Sequence, residues 1–133
     1  MKKALFLATF FLFGLISCNS QGTSNAPDTP DRPVGYENID VEAFKAKINQ
    51  PDAVLLDVRT PEETAQGMIE GAIQLDFRSP DFESEIEKLD KDKTYLIYCR
   101  SGNRSGKTCA LMAKKGYKNL YNLAGGYIAW SKK

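Results

Sequence analysis

One cysteine lies among residues that could make its thiol reactive. Cys99 follows the apolar run Tyr95-Leu96-Ile97, which predicts a buried strand, and it precedes a polar loop with one glycine and two arginines. A helical pattern of alanine and leucine comes next. A thiol between a strand end and a helix N-terminus faces unpaired backbone N–H groups and the positive end of the helix dipole, which both favour the thiolate. We therefore expect the pKa of Cys99 to lie below that of a free cysteine, about 8.5.

The composition excludes several other kinds of chemistry. The chain has 133 residues and no histidine, which rules out Ser-His-Asp and Cys-His catalysis and removes the commonest metal ligand. Its three cysteines, Cys18, Cys99 and Cys109, are too widely spaced for a zinc site, so we expect no metal. The net charge of +1, from 18 basic and 17 acidic residues, argues against a nucleic-acid partner, which usually demands a basic face.

The N-terminal segment has the pattern of a targeting sequence. Two lysines precede the apolar stretch from Ala4 to Ile16, which is too short to be a comfortable membrane span. The stretch ends in Leu15-Ile16-Ser17-Cys18, which resembles the lipobox of bacterial lipoproteins. The resemblance implies that residues 1–17 are a signal peptide and that Cys18 is lipidated after cleavage. The alternative is a plain secretory peptide with an incidental cysteine.

Residues 18–35 are predicted to form a flexible linker. Ser, Thr, Asn, Pro, Asp and Gly dominate this stretch, and three prolines recur in it at intervals of three. Such a composition buries too little apolar surface to repay the entropy of ordering. We expect a tether that holds the remaining domain at a membrane through lipidated Cys18, in the cell envelope and facing the periplasm or the exterior.

Residues 36–133 alternate between strand and helix patterns. Strands are predicted over 53–58, 72–75, 94–98 and 120–123. Helices are predicted after Asp40, after the capping box at 60–63, around Phe82 and Ile86, from Arg104 or Ser105 to Lys115, and as a last turn over 127–130. This alternation predicts an α/β domain with a mostly parallel sheet. Ligands of such sheets bind beyond the carboxyl ends of the strands, where Cys99 lies.

Four segments together resemble the rhodanese (sulfurtransferase) family. They are Leu56 to Glu63, Gly67 to Ile73, the loop Cys99 to Ser105, and Leu123 to Trp130. Four motifs in the right order are far more specific than any one of them, and they span nearly all of 36–130. The resemblance implies a single small domain with a five-stranded parallel sheet flanked by helices. It also implies a catalytic cysteine, here Cys99, that carries sulfane sulfur as a persulfide, with no cofactor.

We expect the residues that follow Cys99 to bind the substrate, the alternative for the two arginines being simple solvation at the surface. The substrate-binding loop comprises Arg100, Ser101, Gly102, Asn103, Arg104 and Ser105. Its backbone N–H groups would cradle developing negative charge, and its arginines would add positive charge near an anionic sulfur donor.

Four residues outside that loop are expected to support it. Asp57 and Arg59 are expected to organise neighbouring loops, with Glu70 as a partner for Arg59, because an acid at the end of an apolar strand is costly unless paired. Gly125 and Gly126 are expected to let a turn pass close to the Cys99 loop.

Two residues need a separate interpretation. Met68 stands where the family usually has histidine, which weakens any substrate role for that loop but leaves the sulfur carrier in place. Cys109 is best interpreted as a small buried apolar residue, and its alternative role is a resolving thiol for Cys99.

The predicted function is transfer of sulfane sulfur from a small anionic donor such as thiosulfate to cyanide, a thiol or a thioredoxin-like acceptor. Three alternatives stay open. Cysteine phosphatases place an arginine one position later than Arg104, where this chain has Ser105. A non-catalytic binding module usually lacks the cysteine that this chain keeps. A thiol-redox protein would use both Cys99 and Cys109.

Overall fold

The computed structural model describes residues 35–132. The predicted signal peptide, the lipidation site at Cys18 and nearly all of the predicted linker lie outside the described residues. Within 35–132 no helix is long and apolar enough to cross a membrane.

Five strands form one parallel sheet, as the family resemblance implied. The strands are β1 (Glu37–Ile39), β2 (Ala53–Asp57), β3 (Ile73–Gln74), β4 (Thr94–Tyr98) and β5 (Asn119–Leu123). Their order across the sheet is β1-β5-β4-β2-β3, and every pairing is parallel. The first strand is not among the predicted ones, because three residues are too few for a period of two to be visible.

Five helices connect the strands. They are α1 (Val41–Ile48), α2 (Pro61–Thr64), α3 (Phe82–Glu87), α4 (Asn103–Lys114) and α5 (Gly126–Trp130). The predicted starts of the first two are confirmed: the Asp40 carboxylate accepts from the Ala43 N–H, and Thr60 and Glu63 form a reciprocal capping box. The fourth helix begins at Asn103, one residue before the earlier of the two predicted starts, because Gly102 adopts positive φ directly before it.

The sheet divides the core into two layers. Alternate residues of β4 point to opposite faces, so Tyr95 and Ile97 join Cys99 in the layer beneath α3 and α4. Leu96 and Tyr98 join the layer on the other face, with Phe44 of α1 and Trp130 of α5. Because the central strand is buried on both faces, its position is fixed, and so is the position of the loop that follows it.

Candidate active site

Cys99 lies at the carboxyl end of the central strand with its thiol enclosed by the following loop. The residue is 1% exposed. The Gly102 N–H donates to its Sγ atom at 3.2 Å, and the Ser105 hydroxyl donates to the same atom at 3.4 Å. Gly102 can turn its N–H inward because it has a φ of 99°, which is in the left-handed region. The loop therefore presents hydrogen-bond donors to one sulfur atom.

These hydrogen-bond donors lower the pKa of the Cys99 thiol. Burial on its own would raise the pKa of Cys99, because a thiolate loses its hydration in a low-dielectric site. The Ser105 hydroxyl and the backbone N–H groups of Ser105, Ser101 and Gly102 act in the opposite direction, and together they hold the pKa below its ordinary value. Hydrogen bonds to the charged form thus replace the histidine that this chain lacks.

Replacing Ser105 with alanine is expected to raise the pKa of Cys99, because the thiolate loses one of its donors while burial stays the same. The fraction of thiolate, and with it the rate of alkylation of Cys99, should fall several-fold at pH values below the pKa of Cys99. Mass spectrometry of the iodoacetamide-treated protein at a series of pH values measures that rate at each cysteine. Ser101→Ala is the matched control, since Ser101 acts through a backbone N–H that alanine retains. Equal pH profiles for the two variants would contradict a role for the Ser105 hydroxyl.

Two carbonyl groups at the start of the loop accept hydrogen bonds from a distant segment of the chain. The N–H groups of Tyr127 and Ile128, at the start of α5, donate to the carbonyls of Cys99 at 2.8 Å and Arg100 at 3.1 Å. This close approach requires Gly126, because a Cβ at that position would lie 2.6 Å from backbone atoms of both Cys99 and Arg100. The predicted role of this glycine is thereby confirmed. With its carbonyls held by α5, the loop can keep its N–H groups turned toward the thiol.

Asp57 and Arg59 form a buried ion pair next to the strand that carries Cys99. Arg59 is 3% exposed, and its Nη2 donates to the Asp57 carboxylate at 2.6 Å and to the Gly67 carbonyl at 2.7 Å. The guanidinium also lies 4.2 Å from the centre of the Tyr127 ring. Glu70 is exposed and makes no ion pair with Arg59 within 35–132, so the predicted partner was wrong. Asp57 satisfies the same guanidinium from two positions away in the chain.

The two loop arginines differ in their surroundings. Arg100 is exposed and has no ion-pair partner among the described residues. Arg104 forms a bidentate pair with Glu63, with Nη1 2.8 Å from Oε2 and Nη2 2.7 Å from Oε1. The sequence identified Glu63 only as part of the capping box, and nothing in the spacing of 41 residues pointed to this second role. Ser101 and Asn103 are both exposed on the rim of the loop.

Asn122 supports the loop from the sheet. This residue of β5 is 4% exposed, and its Nδ2 donates to the Gly102 carbonyl at 3.2 Å and to Asn38 Oδ1 at 2.8 Å. Sequence reasoning missed it, since a single asparagine inside a strand pattern carries no recognisable motif. It ties the peptide that turns toward Cys99 to the first and last strands of the sheet.

Cys109 has a different environment from Cys99. It lies on the fully buried face of α4, and the loss of hydration there raises the pKa of its thiol to about 12. Both cysteines are free thiols. Cys109 therefore has the surroundings of a small apolar core residue, as the sequence suggested. In residues 35–132 no cluster of three or more His, Cys, Asp or Glu side chains could hold a metal ion.

Comparison with known proteins identifies this arrangement. The family described as the Rhodanese-like domain matches residues 40–133. The chain belongs to the rhodanese-like domain family. Its matching region contains β2 to β5 and all five helices, and hence every contact to the Cys99 thiol described above.

The relatives of this rhodanese-like domain indicate a general role in sulfur transfer. A sulfurtransferase of Allochromatium vinosum is 41% identical over 95 residues, which cover 71% of this chain and 87% of the relative. The putative sulfurtransferase YtwF of Bacillus subtilis is also 41% identical over 95 residues, which cover 71% of this chain and 89% of YtwF. The crystal structure of a rhodanese-like domain protein from Staphylococcus aureus superimposes with a TM-score of 0.63 at 29% identity, covering 71% of this chain and 90% of that one.

Proposed function

We propose that this domain is a sulfurtransferase that moves sulfane sulfur from a small anionic donor, such as thiosulfate, to a nucleophilic acceptor through a persulfide on Cys99. The observation that supports this most is the loop geometry, in which the Gly102 N–H and the Ser105 hydroxyl both donate to Sγ. A site that stabilises a thiolate by several donors also stabilises the terminal sulfur of a persulfide, because both carry one negative charge on sulfur.

The reaction runs in two displacement steps. The Cys99 thiolate attacks the outer sulfur of thiosulfate, an S–S bond forms to Cys99, and the donor's S–S bond breaks with its electron pair leaving on sulfite. The acceptor, cyanide in an assay or a thiol, then attacks the outer sulfur and restores the Cys99 thiolate. No other oxidant or reductant is needed, and the developing charge stays on sulfur within reach of the loop N–H groups.

The proposed sulfur acceptor and the proposed place of the protein in the cell depend on different features of the chain. A thiol or a thioredoxin-like protein is the natural cellular acceptor, because its thiolate has the nucleophilicity that the second step requires. We also propose that lipidated Cys18 anchors the protein in the cell envelope; this proposal depends on the resemblance of residues 15–18 to a lipobox.

The environment of Cys109 favours sulfur transfer over thiol redox chemistry. A resolving thiol must ionise to attack its partner, whereas burial raises the pKa of Cys109 to about 12. A purely binding role would not explain why the hydrogen-bond donors of Gly102 and Ser105 converge on the Cys99 sulfur.

Loading the protein with a sulfane donor tests the proposed function. After incubation with thiosulfate and removal of the excess, intact mass spectrometry is expected to show the gain of one sulfur atom, and peptide mapping should locate it on Cys99. Cyanide should remove it and yield thiocyanate. Failure of every sulfane donor to load Cys99 would contradict the proposal, and a Cys99–Cys109 disulfide after oxidation would favour the redox alternative.

A further inference from the structure

The Glu63 carboxylate neutralises one of the two positive charges of the Cys99 loop. Both of its oxygens accept from Arg104, at 2.8 and 2.7 Å, and the two side chains are only 27% and 17% exposed. The Thr60 N–H also donates to Glu63 at 3.0 Å and holds the carboxylate at the start of α2. Hydrogen bonds from Arg104 are the main reason that the pKa of Glu63 falls to about 2, so this carboxylate is ionised at neutral pH.

The loop therefore has less positive charge than its sequence suggests. Arg104 is paired with Glu63, and nearby Arg59 is paired with Asp57. Arg104 also interacts directly with the Cys99 thiol, so Glu63 offsets positive charge at the reacting atom itself. Arg100 is exposed and has no ion-pair partner within the described residues. When Cys99 is a thiolate, the formal charges of Cys99, Arg100, Arg104 and Glu63 cancel.

We propose that Glu63 is a specificity-determining residue that makes the site favour singly charged sulfane donors over doubly charged ones. The favoured class comprises organic thiosulfonates and persulfides of small thiols, each with a terminal sulfur and one charge near the reacting atom. This inference rests on the proposed sulfurtransferase function and narrows its substrate class. A second negative charge on the donor is repelled by Glu63 and the Cys99 thiolate, and the Arg104 charge that could offset it is already paired with Glu63.

Singly and doubly charged donors transfer their sulfur to Cys99 by the same displacement reaction. With methanethiosulfonate, the Cys99 thiolate forms an S–S bond to the terminal sulfur, and the donor's S–S bond breaks with its electron pair leaving on methanesulfinate. With thiosulfate the leaving group is sulfite. The two donors differ by a methyl group in place of an oxygen anion, so they report on charge at nearly constant shape.

Donor discrimination in charge variants tests the inference. The measured quantity is the ratio of kcat/KM for thiosulfate to kcat/KM for methanethiosulfonate, with cyanide as acceptor and the full chain as enzyme. Glu63→Gln is expected to raise this ratio about fivefold at low ionic strength, since the extra charge of thiosulfate no longer meets the carboxylate. Glutamine can keep the capping-box hydrogen bond to Thr60, so α2 retains its start.

Glu62→Gln is the matched control. Glu62 precedes Glu63 on the same first turn and is exposed, so its loss of charge should leave the ratio near the wild-type value. Because both donors are compared in every variant, their different intrinsic reactivities and any general loss of activity cancel. The increase in Glu63→Gln should diminish as salt is raised to about 1 M, where charges are screened within roughly 3 Å.

A double variant keeps the inference testable if freeing Arg104 disturbs the loop. Glu63→Gln/Arg104→Gln has the wild-type net charge, so its ratio should return toward the wild-type value even where both rates are lower. Equal ratios in wild type, Glu63→Gln and Glu62→Gln would overturn the inference while leaving sulfur transfer intact. Absence of turnover with both donors in the wild type, together with failure of every other sulfane donor to load Cys99, would instead overturn the proposed function.

Discussion

Replacing Cys99 with serine is expected to lower the rate of sulfur transfer from thiosulfate to cyanide by at least about 10³-fold. The hydroxyl of serine is a far weaker acid than the thiol, and the loop donors that stabilise a thiolate cannot ionise it. Even an ionised serine could not form the persulfide that the second step consumes. Thiocyanate production by purified wild type and variant measures the effect, and the unfolding temperature confirms that the variant is folded.

Cys109→Ala is the control for this variant. It removes the other described thiol from a fully buried position at the cost of one small side chain. We expect its turnover to stay within about twofold of wild type, since no step of the proposed mechanism uses Cys109. Thiocyanate production by Cys99→Ser at the wild-type rate would contradict the mechanism, and a collapse in Cys109→Ala would indicate a resolving thiol.

Replacing Asp57 with alanine is expected to lower the free energy of unfolding by about 3–5 kcal/mol. The change leaves the Arg59 guanidinium buried without its carboxylate, and a buried unpaired charge is strongly unfavourable. Urea unfolding followed by circular dichroism measures the loss. Activity should fall with stability, because Tyr98, the residue before Cys99, pairs in the sheet with Asp57.

An exposed ion pair offers the matched control. Glu85→Ala removes the partner of Lys88 on the surface of α3, and this change should lower the free energy of unfolding far less than Asp57→Ala does. The double variant Asp57→Leu/Arg59→Met should recover part of the loss, since two apolar side chains need no charge partner. If Asp57→Ala were no more sensitive to urea than Glu85→Ala, the buried pair would not support the fold as described.

Much of the fold was predictable because the determining signals are local. Asp40 caps α1, and Thr60 and Glu63 cap α2, through contacts spanning three residues. The continuous apolar run of β4 indicated a strand buried on both faces. By contrast β1 has three residues, of which only Ile39 is buried, so its place in the sheet depends on pairing with β5 more than eighty residues away.

The site was predictable in its centre and only partly in its supports, of which the close approach at Gly126 and the structural role of Asp57 and Arg59 were expected. The reactivity of Cys99 follows from a strand end, a glycine and a helix start that are adjacent in the chain. Its supports are contacts between distant segments: Glu63 with Arg104, Asn122 with Gly102, and the α5 N–H groups with the loop carbonyls. Arg104 therefore looked like a free charge for the donor, although the fold gives it a partner.

The parallel direction of the strands determines where the N-terminal segment joins the domain relative to the Cys99 loop. All five strands run the same way, so the chain enters β1 at the end of the domain opposite the loop that follows β4. Gly35, at that entrance, packs on Ala113 near the last turn of α4, whereas the same helix begins beside Cys99. Twelve residues of helix separate these two ends by about 18 Å. The proposed tether from a lipidated Cys18 would therefore join the domain at the end opposite the sulfur-bearing loop.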